Sequence, residues 1–133
     1  MWLPTGFGKS IYFQALPLVY YFDYKLNLVS AEKKSVVIII APLIALMIDQ
    51  VQSLRAKKVR AVVVSSRGCR EGRVPECLLA TRDTLDSASL VFCSPEALIE
   101  DKWRDALEKP GFPERVCAVA VDEAHCVSKW YVN

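Results

Sequence analysis

Apolar and polar positions along the chain fall into two alternating kinds of segment. SVVIIIA, from Ser35 to Ala41, is β-branched and apolar on both faces. A strand with one face in water alternates in polarity, whereas one covered by helices on both sides does not, so this run predicts a buried strand of a parallel sheet. Val59 to Val64, Ser89 to Cys93 and Val116 to Val121 (VCAVAV) repeat that character. Helical candidates lie before and between them: Lys9 to about Tyr24, Leu43 to Arg55, and Pro95 to Leu107. Strand, helix and strand in succession imply an α/β fold, a mostly parallel sheet joined by right-handed crossovers and flanked by helices.

Two stretches interrupt the alternation. Arg67 to Ala88 is rich in charged and small residues and reads as an irregular connection carrying a short helix. KPGFPE, Lys109 to Glu114, reads as a turn into the last strand. No internal repeat and no low-complexity segment is present. The longest apolar run, Val36 to Ile48, contains Pro42 and is well short of the roughly 20 residues that span a bilayer, so no membrane partner is expected.

Composition narrows the class without naming the chemistry. With 133 residues, 53% hydrophobic and 24% charged, the chain has the profile of one globular domain with a sizeable core. A formal net charge of +2 says little about partners, because an electrostatic footprint depends on clustering. The 5 cysteines include no C-x-x-C pair and are odd in number, which argues against a zinc site and against a closed disulfide framework. Most of them read as small core residues in a reducing compartment.

Candidate chemistry sits at two places. Thr5-Gly6-Phe7-Gly8-Lys9-Ser10 precedes a helix candidate. Glycines without a Cβ let backbone N–H groups converge on a phosphate chain, the helix N-terminus faces the anion, Lys9 reaches the β and γ phosphates, and the Ser10 hydroxyl holds Mg²⁺. Leu3 stands where G-x-x-x-x-G-K-[ST] has its first glycine. The bland reading is a helix start with Lys9 in solvent. Asp122-Glu123-Ala124-His125 follows the strand Val116 to Val121. An aspartate at the carboxyl end of a parallel strand projects into the crevice where such sheets bind ligands, and there it holds Mg²⁺ through water. Glu123 would orient or deprotonate the attacking water. The bland reading here is an acidic helix start.

LPTGFGKSIYFQALPLV, APLIALMIDQV, SPEAL and above all DEAHCVSKW resemble the successive motifs of the RecQ-type DNA helicases of superfamily two, over Leu3 to Trp130. Lys129 stands where that family more often has Gln. The resemblance implies a RecA-like P-loop NTPase domain, using ATP and Mg²⁺ to drive 3′ to 5′ movement on DNA, single-stranded or forked. It implies that Thr5, Gly6, Phe7, Gly8, Lys9 and Ser10 bind nucleotide, that Ser10 and Asp122 hold the metal, and that Lys9, Asp122, Glu123 and His125 are the catalytic set. His125 would link hydrolysis to DNA, Trp130 would begin an aromatic loop that senses single strands, and Pro42, Leu43, Ser94 and Pro95 fall where the family approaches the DNA backbone. It further implies an incomplete domain over residues 1–133, truncated at both ends, with the second motor domain absent, and nuclear residence. The competing expectations are a non-catalytic remnant serving as a nucleic-acid- or protein-binding module, and a small-molecule kinase, against which DEAHCVSKW argues.

Other residues leave alternatives open. Ser94 before Pro95 reads equally well as a helix N-cap. Arg55, Lys57, Lys58, Arg60, Arg67, Arg70 and Arg73, relieved only by Glu71, suit either a solvated face or a nucleic-acid backbone. Tyr12, Phe13, Tyr20, Tyr21, Phe22 and Tyr24 are expected to pack their helix on the sheet.

Overall fold

The computed structural model describes residues 35–65 and 74–122, and before them only Ala15, which is helical. Their order is β1 (Val36–Ile40), α1 (Ile44–Ala56), β2 (Ala61–Val64), α2 (Arg82–Ser87), β3 (Leu90–Cys93), α3 (Asp101–Glu108) and β4 (Val116–Val121). Short 3₁₀ turns occupy Glu76–Leu78, Pro95–Ile99 and Pro113–Arg115. The strands form one parallel sheet in the order β2-β3-β1-β4. Leu79 adds a single parallel bridge to Val63, beyond β2.

The absence of alternation along the strands is explained by two cores, one on each face. Val37 and Ile39 of β1, Ala61 and Val63 of β2, and Leu90 and Phe92 of β3 pack with Met47, Val51 and Leu54 of α1. The intervening Val36, Val62, Val64, Val91 and Cys93 face the other way, onto Leu85 of α2, Trp103 of α3 and Phe112. Successive side chains of a strand point to opposite faces, so a strand roofed by helices on both sides must be apolar throughout. Each such aliphatic or aromatic side chain contributes roughly 1.5–3 kcal/mol when fully buried.

The way α1 closes determines where β2 starts. Lys58 N–H donates to the Arg55 carbonyl (2.9 Å) and Val59 N–H to the Leu54 carbonyl (2.9 Å). Val59 also packs against the cluster that contains Leu54. This pairing of bonds with an apolar contact is a Schellman motif, which puts the residue after the cap in the left-handed region. Lys58 sits there, at φ 62°. Glycine tolerates that conformation freely, while a residue with a Cβ gives up about 1–2 kcal/mol. The motif uses Val59 to close the helix, so β2 begins at Ala61 and not at Val59 as expected.

The expected helix over Pro95 to Leu107 is two elements. Ser94 accepts a bond from Ala97 N–H (3.4 Å) and Pro95 opens a 3₁₀ turn. At Glu100 the backbone is extended (φ −78°, ψ 127°), and α3 starts at Asp101. Burial explains the break. Ala97 and Trp103 are both buried in the same core, yet on one continuous helix they would stand about 120° apart around the axis and would not point the same way.

In the connection from Arg67 to Ala88, α2 is held by a reciprocal cap: Thr84 N–H donates to Thr81 Oγ1 (3.2 Å) and Thr81 N–H to Thr84 Oγ1 (2.6 Å). The turn expected over Lys109 to Glu114 places Gly111 at φ 98°, with its N–H on the Glu114 carboxylate (2.7 Å). Of the cysteines described, Cys93 is buried, Cys117 half-buried and Cys77 exposed, so the core reading fits the first two only.

Candidate functional site

The four strands end flush along one rim. Ile40 pairs with Cys93 on one side and Val121 on the other, and Cys93 pairs with Val64. The ladder then continues one residue past the ends. Ala41 N–H donates to the Cys93 carbonyl (3.0 Å), Ser94 N–H to the Val64 carbonyl (3.1 Å) and Asp122 N–H to the Ile40 carbonyl (2.8 Å). Each residue that begins a post-strand segment is therefore fixed to the neighbouring strand. Pro42 and Leu43, Ser94 and Pro95, and Asp122 are delivered to this rim by β1, β3 and β4.

Asp122 lies next to β1, partly exposed. Leu43 is 53% exposed and serves as N-cap of α1 with extended backbone and no side-chain cap; the first turn of α1 carries no acidic residue. The first N–H groups of that helix thus reach the rim with no capping side chain, and there their partial positive charge suits an anion. Ser94 is buried, and its hydroxyl accepts a bond from the Ala97 N–H. The N-cap reading of Ser94 and its place on the rim both hold. Nearby, the Cys93 thiol is pushed up to about 12, first by burial and then by the Glu96 carboxylate. It is a neutral packing group, and nucleophilic chemistry at the rim cannot come from it.

Ser65 was not singled out by any motif. It directly follows β2, one place beyond the Val64–Cys93 pair, is 4% exposed, and its hydroxyl has no hydrogen-bond partner among the described residues. Such groups are uncommon, and each costs about 1–3 kcal/mol. The only clue in the sequence is a serine closing the apolar run AVVV. Ser65→Ala is expected to leave the chain as stable or more stable by up to about 1 kcal/mol, read as the urea midpoint; a clear loss of stability would mean that the hydroxyl is satisfied in solution.

Thr5, Gly6, Phe7, Gly8, Lys9, Ser10, Glu123, His125 and Trp130 lie outside the described residues. Among the described residues no group of three His, Cys, Asp or Glu side chains gathers as a metal site, and no helix is long and apolar enough to cross a membrane.

A family model described as DEAD/DEAH box helicase matches residues 2–133. The chain is 37% identical to ATP-dependent helicase SGS1 of Saccharomyces cerevisiae over 129 residues, which is 96% of this chain and 8% of that protein. It is 32% identical over 128 residues to ATP-dependent DNA helicase RecQ of Synechocystis, and 30% identical over 128 residues to the RecQ of Bacillus subtilis. Each alignment covers 96% of this chain, and they cover 23% and 18% of the respective proteins. The chain spans less than a quarter of the length of these relatives.

Proposed function

The chain belongs to the DEAD/DEAH box helicase family, and on that premise we propose that it is part of the first motor domain of a RecQ-type, ATP-dependent DNA helicase. The observation that carries the proposal furthest is the rim: Asp122, the helix start at Leu43 and the Ser94–Pro95 turn stand side by side on β4, β1 and β3. A site that couples nucleotide to DNA needs an acidic group and anion-accepting backbone on one edge, and the strand order supplies both.

In this reading Thr5 to Ser10 wrap the triphosphate, with Lys9 on the β and γ phosphates and Ser10 and Asp122 disposed to hold Mg²⁺. Held by Ser10 and Asp122, Mg²⁺ would supply positive charge against the negative charge that develops on the phosphates during hydrolysis. The Asp122 carboxylate fits such a hard cation in donor chemistry, and its anchored backbone keeps it from drifting. Glu123 orients the attacking water and takes its proton. His125 passes the state of the nucleotide to the DNA face, where Pro42, Leu43, Ser94 and Pro95 approach phosphates and Trp130 senses a single strand. Closure by a second RecA-like domain of the full protein, movement 3′ to 5′ along single-stranded or forked DNA, and nuclear residence belong to the same proposal.

The test is a thermal melt with Mg·ATP. At a ligand concentration a hundredfold above Kd, binding to the folded state adds about 2.7 kcal/mol, which moves Tm by several degrees in a domain of this size. Lys9→Ala is expected to abolish the shift. Equal melting of both proteins with and without Mg·ATP would instead favour a non-catalytic binding module.

A further inference from the structure

The basic stretch noted in the sequence is not absorbed by the rim. Arg55, Lys58 and Arg60 converge on a cleft of about 290 Å³ at the opposite end of the sheet, where α1 closes and β2 begins. Ala61 and Val62 line it with buried apolar surface, and Thr84 and Ser87 of α2 face it from the other side. Among the described residues no carboxylate lines it.

We propose that this cleft seats the sugar–phosphate backbone of a nucleic-acid strand, a second contact separate from the one at the carboxyl rim. That the polyanion is a nucleic acid rests on the helicase reading; that the cleft takes a polyanion rests on its own geometry.

Three observations support it. Arg55 is held in place by its neighbours, with Nε–H on the Ala61 carbonyl (2.8 Å) and Nη1–H on the Cys77 carbonyl (2.6 Å). Those two bonds use only part of the guanidinium fork, and three N–H donors remain. Lys58 and Arg60 have no ion pair or side-chain hydrogen bond among the described residues, so like charges are held together with little to offset them.

Lys58 supplies the third observation. It occupies the left-handed position after α1, at φ 62°, where a glycine would close the helix without strain. Arg55 and Lys57 already place positive charge at this helix end, so complementing the helix dipole gives no reason to add Lys58 at a strained site. A strained residue retained at the mouth of a cationic cleft is accounted for if its ammonium has a ligand. Among the described residues no aromatic ring lines the cleft, so no base is stacked and the contact is independent of sequence, made with phosphate and sugar.

The experiment measures anisotropy of a fluorescein-labelled oligothymidylate on the full chain, without nucleotide, over a range of salt. Relative to wild type, the double variant Lys58→Gly/Arg60→Ala is expected to bind about tenfold more weakly at low salt. The slope of log K against log salt should fall in magnitude by about 1.4, two contacts at roughly 0.7 each for a single strand. Lys58→Gly alone should weaken binding while raising Tm by about 2–4 °C, a pair of changes that damage to α1 would not produce. Unchanged affinity and slope in the double variant would overturn the proposal. So would loss of affinity together with a lower Tm for Lys58→Gly, or displacement of the labelled strand by polyglutamate as readily as by unlabelled oligothymidylate, which would point to an acidic protein partner. A failed Mg·ATP shift beside a normal anisotropy result would count against the nucleotide site and leave the cleft standing.

Discussion

Phe92→Ala is expected to lower the unfolding free energy by about 3–5 kcal/mol, the usual range for deleting a fully buried aromatic ring. Phe92 is 1% exposed and lies on β3, between β2 and β1 in the sheet. Its ring packs in the cluster that contains Ile39, Met47, Val51 and Leu54, so it ties two strands to α1 at once. Strands on both sides hold the backbone in register, at Val63 and Ile39, and prevent the sheet from collapsing into the space vacated. The lost contact and the remaining cavity both count in full. Urea denaturation followed by circular dichroism checks this; a loss below about 1 kcal/mol would mean that β3 is not at the centre of the folded sheet.

Arg115→Ala is expected to be nearly as damaging, at about 3 kcal/mol, for a different reason. Arg115 is 8% exposed, and its guanidinium spans two carbonyls: Nη1–H donates to Leu85 (3.2 Å) and Nη2–H to Ala88 (2.8 Å). These carbonyls belong to the end of α2 and the residue after it, so one side chain fastens α2 to the segment that enters β4. Burial lowers its pKa first, Arg60 lowers it further and Asp86 raises it, but a guanidinium stays charged throughout the working range. Truncation leaves Leu85 with the Ala88 N–H (3.3 Å) and takes from Ala88 its charged donor. Charged hydrogen bonds contribute about 1.5–3 kcal/mol, and a buried carbonyl left without a partner costs a similar amount. Arg115→Lys should recover less than half of the loss, since an ammonium is a point donor and cannot bridge two carbonyls in a fixed fork. The urea midpoints of the three proteins decide it, and a lysine variant equal to wild type would show that the bridge itself contributes nothing.

What the sequence showed and what it concealed divide along physical lines. β1 was legible because burial on both faces leaves an unbroken apolar run, and the same holds for β3; β4 carries an apolar run too, although among the described residues nothing covers its Val119 and Val121, which are exposed. The positions of Asp122 and Ser94 were legible too, since a polar residue directly after a buried strand can only stand at the rim. The break at Glu100 was not, because Ser94–Pro95 starts an ordinary helix equally well, and only the need to bury Ala97 and Trp103 in one core excludes it. Lys58 was hidden for a related reason: a left-handed C-terminal position is normally announced by glycine, and here the bonds of Lys58 and Val59 fix the conformation without one. Ser65 belongs to a third kind, a polar atom defined by the lack of any partner among the described residues, which no local pattern can encode.

The place of β1 within the sheet bears on how the chain assembles. It comes first among the described strands, yet its pairing partners for Val37 are Leu90 and Ala118, both far along the chain. β2 and β3 are closer in sequence and pay a smaller loop-closure penalty. Contact order of this kind slows folding. During synthesis β1 must wait for its partners until β3 and β4 have emerged, which among the described strands makes the VVIII segment the one most exposed to mispairing.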